Sequence, residues 1–175
     1  MGKHRDIIPG IVEQIRRTGL ECGVVLLGSV AAGTERPDSD LDFFVVMTQE
    51  GELKIPNTKI IDEEKGMQLI ETHVEGIKVH FAFWPADSFG KALDEEPHVY
   101  YPFIRGVILS DPAGIAERYQ QIARDYFDKN PAIVEAWEKQ LEKVRRHRLD
   151  PGYKLEFPEW GDFAEHVEKD IGREE

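Results

Sequence analysis

One stretch limits what this chain can fold into more than any other. The apolar run Val24-Val25-Leu26-Leu27 meets Gly28-Ser29, and a polar segment then delivers Ser39-Asp40-Leu41-Asp42 into a second apolar run, Phe43 to Met47. Both runs have strand length, and the unbroken apolar character from Cys22 to Leu27 predicts a strand buried on both faces. Strand and helix periods alternate around it, which predicts an α/β fold with a short mixed β-sheet core and helices packed on it.

Strand pleating sends successive side chains to opposite faces. Asp40 and Asp42 therefore share one face, while Leu41, Phe43 and Val45 point the other way into a core. Two carboxylates at the mouth of a partly buried strand repel one another, and a hard divalent cation such as magnesium removes that cost. Gly28 lets the backbone take positive φ or approach a ligand closely, and Ser29 adds a hydroxyl. The start of a short helix there offers N–H groups to phosphate oxygens, with Gly33 placed to end it. Alone, Gly-Ser after a strand reads as a plain turn, and Asp-x-Asp as a solvated strand end. Within one strand-helix-strand span they read as a site for a metal-bound nucleoside triphosphate.

Along the rest of the chain, Ile8, Ile11, Val12 and Ile15 recur at helical spacing, with Arg16 and Arg17 near the end and Gly19 as the stop. This first helix is expected to pack on the sheet. Thr48 to Lys65 is polar, contains Gly51 and Pro56, shows no period, and is read as a long loop beside the site. Met67 to Val74 and Ile77 to Trp84 form two strands joined by Glu75-Gly76, a two-residue hairpin signal. In the second of these, Ile77, Val79, Phe81 and Phe83 share a core face, and Lys78, His80, Ala82 and Trp84 share the other. Ala86 to Leu93 is expected to be helical. Tyr100 to Leu109 fits either a helix end or a last strand.

Pro112 to Phe127 and Pro131 to Arg148 have helical periods, the latter through Ile133, Val134, Trp137, Leu141 and Val144. Residues 1–110 are thus read as the core, and 111–175 as a C-terminal helical region and tail. Arg145, Arg146, His147 and Arg148 close the last long helix, either as a phosphate or acceptor contact or as cations favoured at a helix C-terminus. The tail alternates aromatic and acidic residues, with Tyr153, Phe157, Trp160 and Phe163, and is expected to dock on the domain or on a partner.

Composition narrows the partners. With 41% apolar residues in 175, the chain is globular and long enough for one compact domain or a core with an appendage. Its 34 acidic against 22 basic residues, a net charge of -12, disfavour a long nucleic-acid partner, which needs a basic face. They suit a small acceptor, a cationic one included, or a protein partner, although acidic surfaces also serve solubility. Cys22 is the only cysteine, so neither an intramolecular disulfide nor a thiolate zinc site can be built. No apolar stretch of signal-peptide length follows Met1, and none approaches a membrane span, so the chain is expected in the cytoplasm.

Gly28-Ser29, ten intervening residues, then Asp40-Leu41-Asp42 resembles the signature of the DNA polymerase β-like nucleotidyltransferase superfamily, particularly its small stand-alone and antibiotic-type members. The resemblance spans about Cys22 to Trp84, with a looser echo in Gly106 to Gly114. It implies a magnesium-dependent transfer of a nucleoside monophosphate, AMP from ATP, to a hydroxyl of a small molecule or protein. By the same resemblance Asp40 and Asp42 hold metal, while Gly28 and Ser29 hold the terminal phosphates. Ser39 caps or orients the Asp40 loop.

Members of that superfamily usually carry a third carboxylate on a later strand. Here the matching run is Ile77-Lys78-Val79-His80-Phe81, with histidine in that place. Imidazole can act as a general base but binds magnesium less well than carboxylate oxygen does. His80 is thus either a catalytic base or a hydrogen-bonded strand residue. Glu71, Glu75 or Asp87 are the possible sources of the missing oxygen, with Glu71 preferred if the two strands pair closely. The alternative is a catalytically impaired nucleotide-binding protein, or an antitoxin-like partner-binding one, of the same fold.

Overall fold

The computed structural model describes residues 3–48, 58–64, 67–150, 152–155 and 165–170. The chain divides into two compact units, Met1–Ala123 and Arg124–Glu175.

In the first unit, six strands among the described residues form one mixed sheet: β1 (Cys22–Leu27), β2 (Leu41–Met47), β3 (Lys59–Glu64), β4 (Met67–Val74), β5 (Ile77–Pro85) and β6 (Val107–Ser110). Their order across the sheet is β3-β4-β5-β2-β1-β6. All neighbours are antiparallel except β2 and β5, which run parallel, so that Asp42 stands opposite His80. Glu75 and Gly76 both take positive φ, 51° and 79°, which closes the β4-β5 hairpin with the twist its strands require.

β2 lies inside the sheet and is covered on both sides. Leu41, Phe43 and Val45 join Val24, Leu26, Val79, Phe81 and Phe83 against Ile7, Ile11, Val12 and Ile15 of helix α1 (Lys3–Arg17). Phe44 on the opposite face meets Trp84, Phe89 of α3 (Ala86–Glu95) and Phe103 of α4 (Tyr101–Ile104), at ring-centroid separations of 5.0 to 5.7 Å. The continuous apolar run in β2 is what this two-sided cover demands. Between β1 and β2 lies the five-residue helix α2 (Gly28–Ala32), which ends at Gly33.

Two expectations change here. The long loop read over Thr48 to Lys65 is corrected at 59–64, which form the edge strand β3, while 49–57 and 65, with Gly51 and Pro56, lie outside the described residues. An edge strand needs no buried face to be held, because its ladder to β4 suffices, and Ile60 and Ile61 are indeed exposed. The segment Tyr100 to Leu109 resolves into both readings at once, with α4 followed by β6.

Cys22 is buried at the start of β1, and burial together with the nearby Asp111 carboxylate pushes its thiol up to about 11. Asp111 itself caps the helix α5 (Ile115–Lys129), accepting the backbone N–H groups of Ile115 at 2.8 Å and Glu117 at 2.9 Å.

The second unit is built on α6 (Pro131–Leu149). Trp137 is fully buried, and the amide of Gln140 donates to Asp170, whose carboxylate also pairs with Lys139 at 3.2 Å. The basic cluster at the end of α6 has local partners. Arg145 pairs with Glu142, Arg146 lies 4.7 Å over the ring of Tyr153, and the ring of His147 bonds the Tyr153 carbonyl. Of the aromatic tail, Phe157, Trp160 and Phe163 lie outside the described residues.

Candidate active site

Sheet register assembles the site. Direct pairing across four strands lines up Lys59, Glu71, His80 and Asp42 in one row, because Lys59 stands opposite Glu71, Glu71 opposite His80, and His80 opposite Asp42. Residues in such a row share a face, so charges of alternating sign stand side by side at strand spacing. Lys78, two residues before His80 and on the same face, reaches to 3.8 Å from Asp40.

His80 sits between the acids. Its Nδ1 lies 3.3 Å from Asp42 Oδ1 and 4.0 Å from Asp40 Oδ2, and its Nε2 lies 3.2 Å from Glu71 Oε2. With a carboxylate at each ring nitrogen, the form that satisfies both is the imidazolium, donating twice. The Asp42 carboxylate, followed by that of Glu71, accordingly holds the His80 pKa above its ordinary 6.5, against a partial burial that pushes it down. The same contact with His80 holds the Glu71 carboxyl below the usual range.

Gly28 and Asp42 touch. Gly28 takes φ +69°, and a Cβ built on it would stand 2.5 Å from Asp42 Oδ2. The Asp42 carboxylate therefore fills the space a side chain at residue 28 would occupy, and the backbone of the turn lies directly against it. Ser29 anchors the turn, its carbonyl accepting the backbone N–H of Thr34 at 2.9 Å. Ser39 closes a turn with Arg36: its hydroxyl accepts the Arg36 N–H at 2.9 Å, and its own N–H donates to the Arg36 carbonyl at 3.0 Å. All six residues singled out from the sequence, Gly28, Ser29, Ser39, Asp40, Asp42 and His80, thus lie at one end of the sheet or in the turns that enter it. Asp87 lies in the first turn of α3, beyond the end of β5, and Glu75 lies in the hairpin turn.

The donor set can be compared with the chemistry of magnesium. Among the described residues no three His, Cys, Asp or Glu side chains are arranged to hold a metal ion. Magnesium is not ordinarily held by an all-protein cage, however. It keeps several waters and is bound by one or two carboxylates together with substrate phosphates. Two half-exposed carboxylates beside an open glycine turn fit that mode.

The decisive comparison is with protein families: residues 8–110, more than half of the chain, match the model described as "Nucleotidyltransferase domain". The chain belongs to this nucleotidyltransferase family. The matched span ends with β6, so it takes in the whole sheet, the row containing His80 included. No curated protein matches the chain. Among solved structures it is similar to a nucleotidyltransferase-like protein from Exiguobacterium sibiricum, at 12% identity and a TM-score of 0.41, over 91% of this chain and 53% of that one. The chain thus spans about half the length of that protein. No helix of the described residues is long and apolar enough to cross a membrane.

Sequence reasoning missed Lys59 as a member of the charged row, and it placed Lys78 on the His80 face without its partner Asp40. The place of Lys59 follows from strand register, which strand periodicity alone does not give. It also passed over His4 and Arg5, whose partners are some 30 residues away in the chain.

Proposed function

We propose that this domain transfers a nucleoside monophosphate, AMP from ATP, to a hydroxyl of a small molecule or a protein in the cytoplasm. The observation that carries the reading is the contact of Asp42 with Gly28, which brings the acidic strand end against the phosphate-type turn within a nucleotidyltransferase domain. Asp40 and Asp42 would hold magnesium, which would neutralise charge on the triphosphate and on the departing pyrophosphate. Gly28 and Ser29 offer the turn to the terminal phosphates. Lys78 adds a cation beside Asp40, and Ser39 shapes the segment that leads into Asp40. His80 in its neutral form, its Nδ1 proton released to solvent, would take the proton of the acceptor hydroxyl at that nitrogen. The acidic surface argues against a long nucleic acid as acceptor.

A second reading is a nucleotide-binding or partner-binding protein with impaired transfer, and the double hydrogen bonding of His80 favours it. An imidazole held as imidazolium by two carboxylates is a poor base. Calorimetry with magnesium and a non-hydrolysable ATP analogue, set beside turnover assays, separates the two. Asp42→Asn should abolish magnesium-dependent binding with the fold intact, and unchanged affinity together with unchanged turnover would sink the site. His80→Ala should keep nucleotide binding and lose transfer under the first reading. Under the second, the parent transfers nothing and His80→Asp creates the activity.

A further inference from the structure

The first turn of α1 grips the segment that carries Asp40. His4 lies on the buried stripe of that helix, with Ile7, Ile11 and Ile15, and is only 5% exposed. An apolar residue would fill such a position without burying ring nitrogens, which must then find partners. The His4 Nε2 donates to the main-chain carbonyl of Ser39 at 2.8 Å. That carbonyl belongs to the peptide joining Ser39 to Asp40, so fixing it fixes where Asp40 begins. Next to it, Arg5 Nε meets Glu35 Oε1 at 3.2 Å.

The gripped segment needs an external hold. Residues 34–40 lie outside the ladders, β2 beginning only at Leu41. Their internal bonds, between Arg36 and Ser39 and from Thr34 to Ser29, shape the turn without joining it to the helix layer. The helical end is itself braced. Pro9 has no N–H to offer the carbonyl of Arg5, so the first turn of α1 is held less by its own helix than an ordinary turn would be. Lys3 Nζ donates to the Glu75 carbonyl in the β4-β5 turn at 2.5 Å. Lys3, His4 and Arg5 thus span from the hairpin that carries Lys78 and His80 to the segment that carries Asp40. The Arg5 pair is half exposed and contributes little, which leaves the buried His4 bond as the stronger tie.

We infer that His4 is a positioning residue of the nucleotide site: through the Ser39 carbonyl it holds the 34–40 segment so that Asp40 is presented beside Asp42. This rests on the reading of Asp40 and Asp42 given above. Groups that orient a metal's ligands typically change metal affinity by about 10- to 100-fold when removed.

His4→Met keeps the side-chain volume and removes the donor, His4→Gln keeps a donor of similar reach, and Ile11→Ala disturbs the same buried stripe without touching Ser39. Backbone amide exchange and affinity for a magnesium-bound non-hydrolysable ATP analogue are measured on all three and on the parent. His4→Met should speed exchange over 34–41 at least about tenfold relative to β1 and weaken the analogue by about tenfold. His4→Gln should restore both, and Ile11→Ala should speed exchange without favouring 34–41. The inference is overturned if His4→Met loosens 34–41 no more than Ile11→Ala does, or if His4→Gln restores nothing. It is also overturned if 34–41 loosens while the analogue binds as tightly as to the parent. A parent that binds no analogue refutes the nucleotide reading instead, and the presenting role of His4 is then decided by exchange alone: selective loosening of 34–41 supports it, and its absence overturns it.

Discussion

Replacing Gly28 with alanine tests the site at its tightest point. Two costs can be separated. The left-handed conformation, φ +69°, costs a residue with a Cβ about 1–2 kcal/mol. The new Cβ would also stand 2.5 Å from Asp42 Oδ2, and since that atom ends a short side chain, the carboxylate swings away and the backbone stays. The second cost therefore falls on ligand binding and very little on the fold. Gly19→Ala is the matched control: its φ is +73° and nothing lies within 4 Å of the added Cβ, so it carries the backbone cost alone. Chemical denaturation should show both variants destabilised by about 1–2 kcal/mol. Calorimetry with magnesium and an ATP analogue should show Gly19→Ala unchanged and Gly28→Ala weakened about 10- to 100-fold, the usual penalty for disturbing a metal's oriented ligands. If Gly28→Ala binds like the parent, or Gly19→Ala weakens binding equally, the contact between the turn and Asp42 has no part in the site.

Three further outcomes follow from the packing and the charged row. In metal-free protein the His80 imidazole should titrate above its ordinary 6.5, and Asp42→Asn should lower that value, as read by NMR of the ring. Because the folded pKa is the raised one, the stabilisation from His80 is complete below the unfolded value and lost as pH rises through the folded value; Glu71→Gln should thus cost more stability in acid than in alkali, and a pH-independent cost would contradict the pairing. Phe89→Ala, which removes a fully buried ring meeting Phe44, Phe103 and Tyr100, should cost about 3–5 kcal/mol in denaturant unfolding, whereas a cost below about 1 kcal/mol would mean that this layer is not the packed core described.

The strands that bury both faces could be read directly from the sequence. Phe43 to Met47 fits a strand between two layers, and β1 stands out by the same logic, whereas β4 and β5 were marked by their alternation and by the Glu75-Gly76 turn between them. β3 did not, because Lys59–Glu64 is an edge strand whose isoleucines are exposed, so the alternation that marks a half-buried strand is missing. β6 is only four residues long and follows directly on a helical turn, which left its type undecided. Asp40 and Asp42 were legible because they stand two residues apart at the start of one apolar run, Asp42 in β2 and Asp40 just before it. The parallel pairing of β2 with β5 that sets His80 against Asp42, and the bond from His4 to Ser39, join residues more than 30 positions apart. No local pattern encodes them. His4 does continue the stripe of Ile7, Ile11 and Ile15, and a lone histidine in an apolar stripe signals a buried polar partner without saying which.

The single thiol at the start of β1 gives the molecule a clock of its own. Only the thiolate reacts with alkylating reagents, and with burial pushing Cys22 up to about 11, very little of it is present at neutral pH while the strand is in place. Release of β1 would expose the sulfur and return its acidity to the ordinary range, raising its reactivity by orders of magnitude. The rate at which the untouched protein takes up such a reagent therefore reports how often the strand that ends on the Gly28 turn leaves the sheet, with no label introduced.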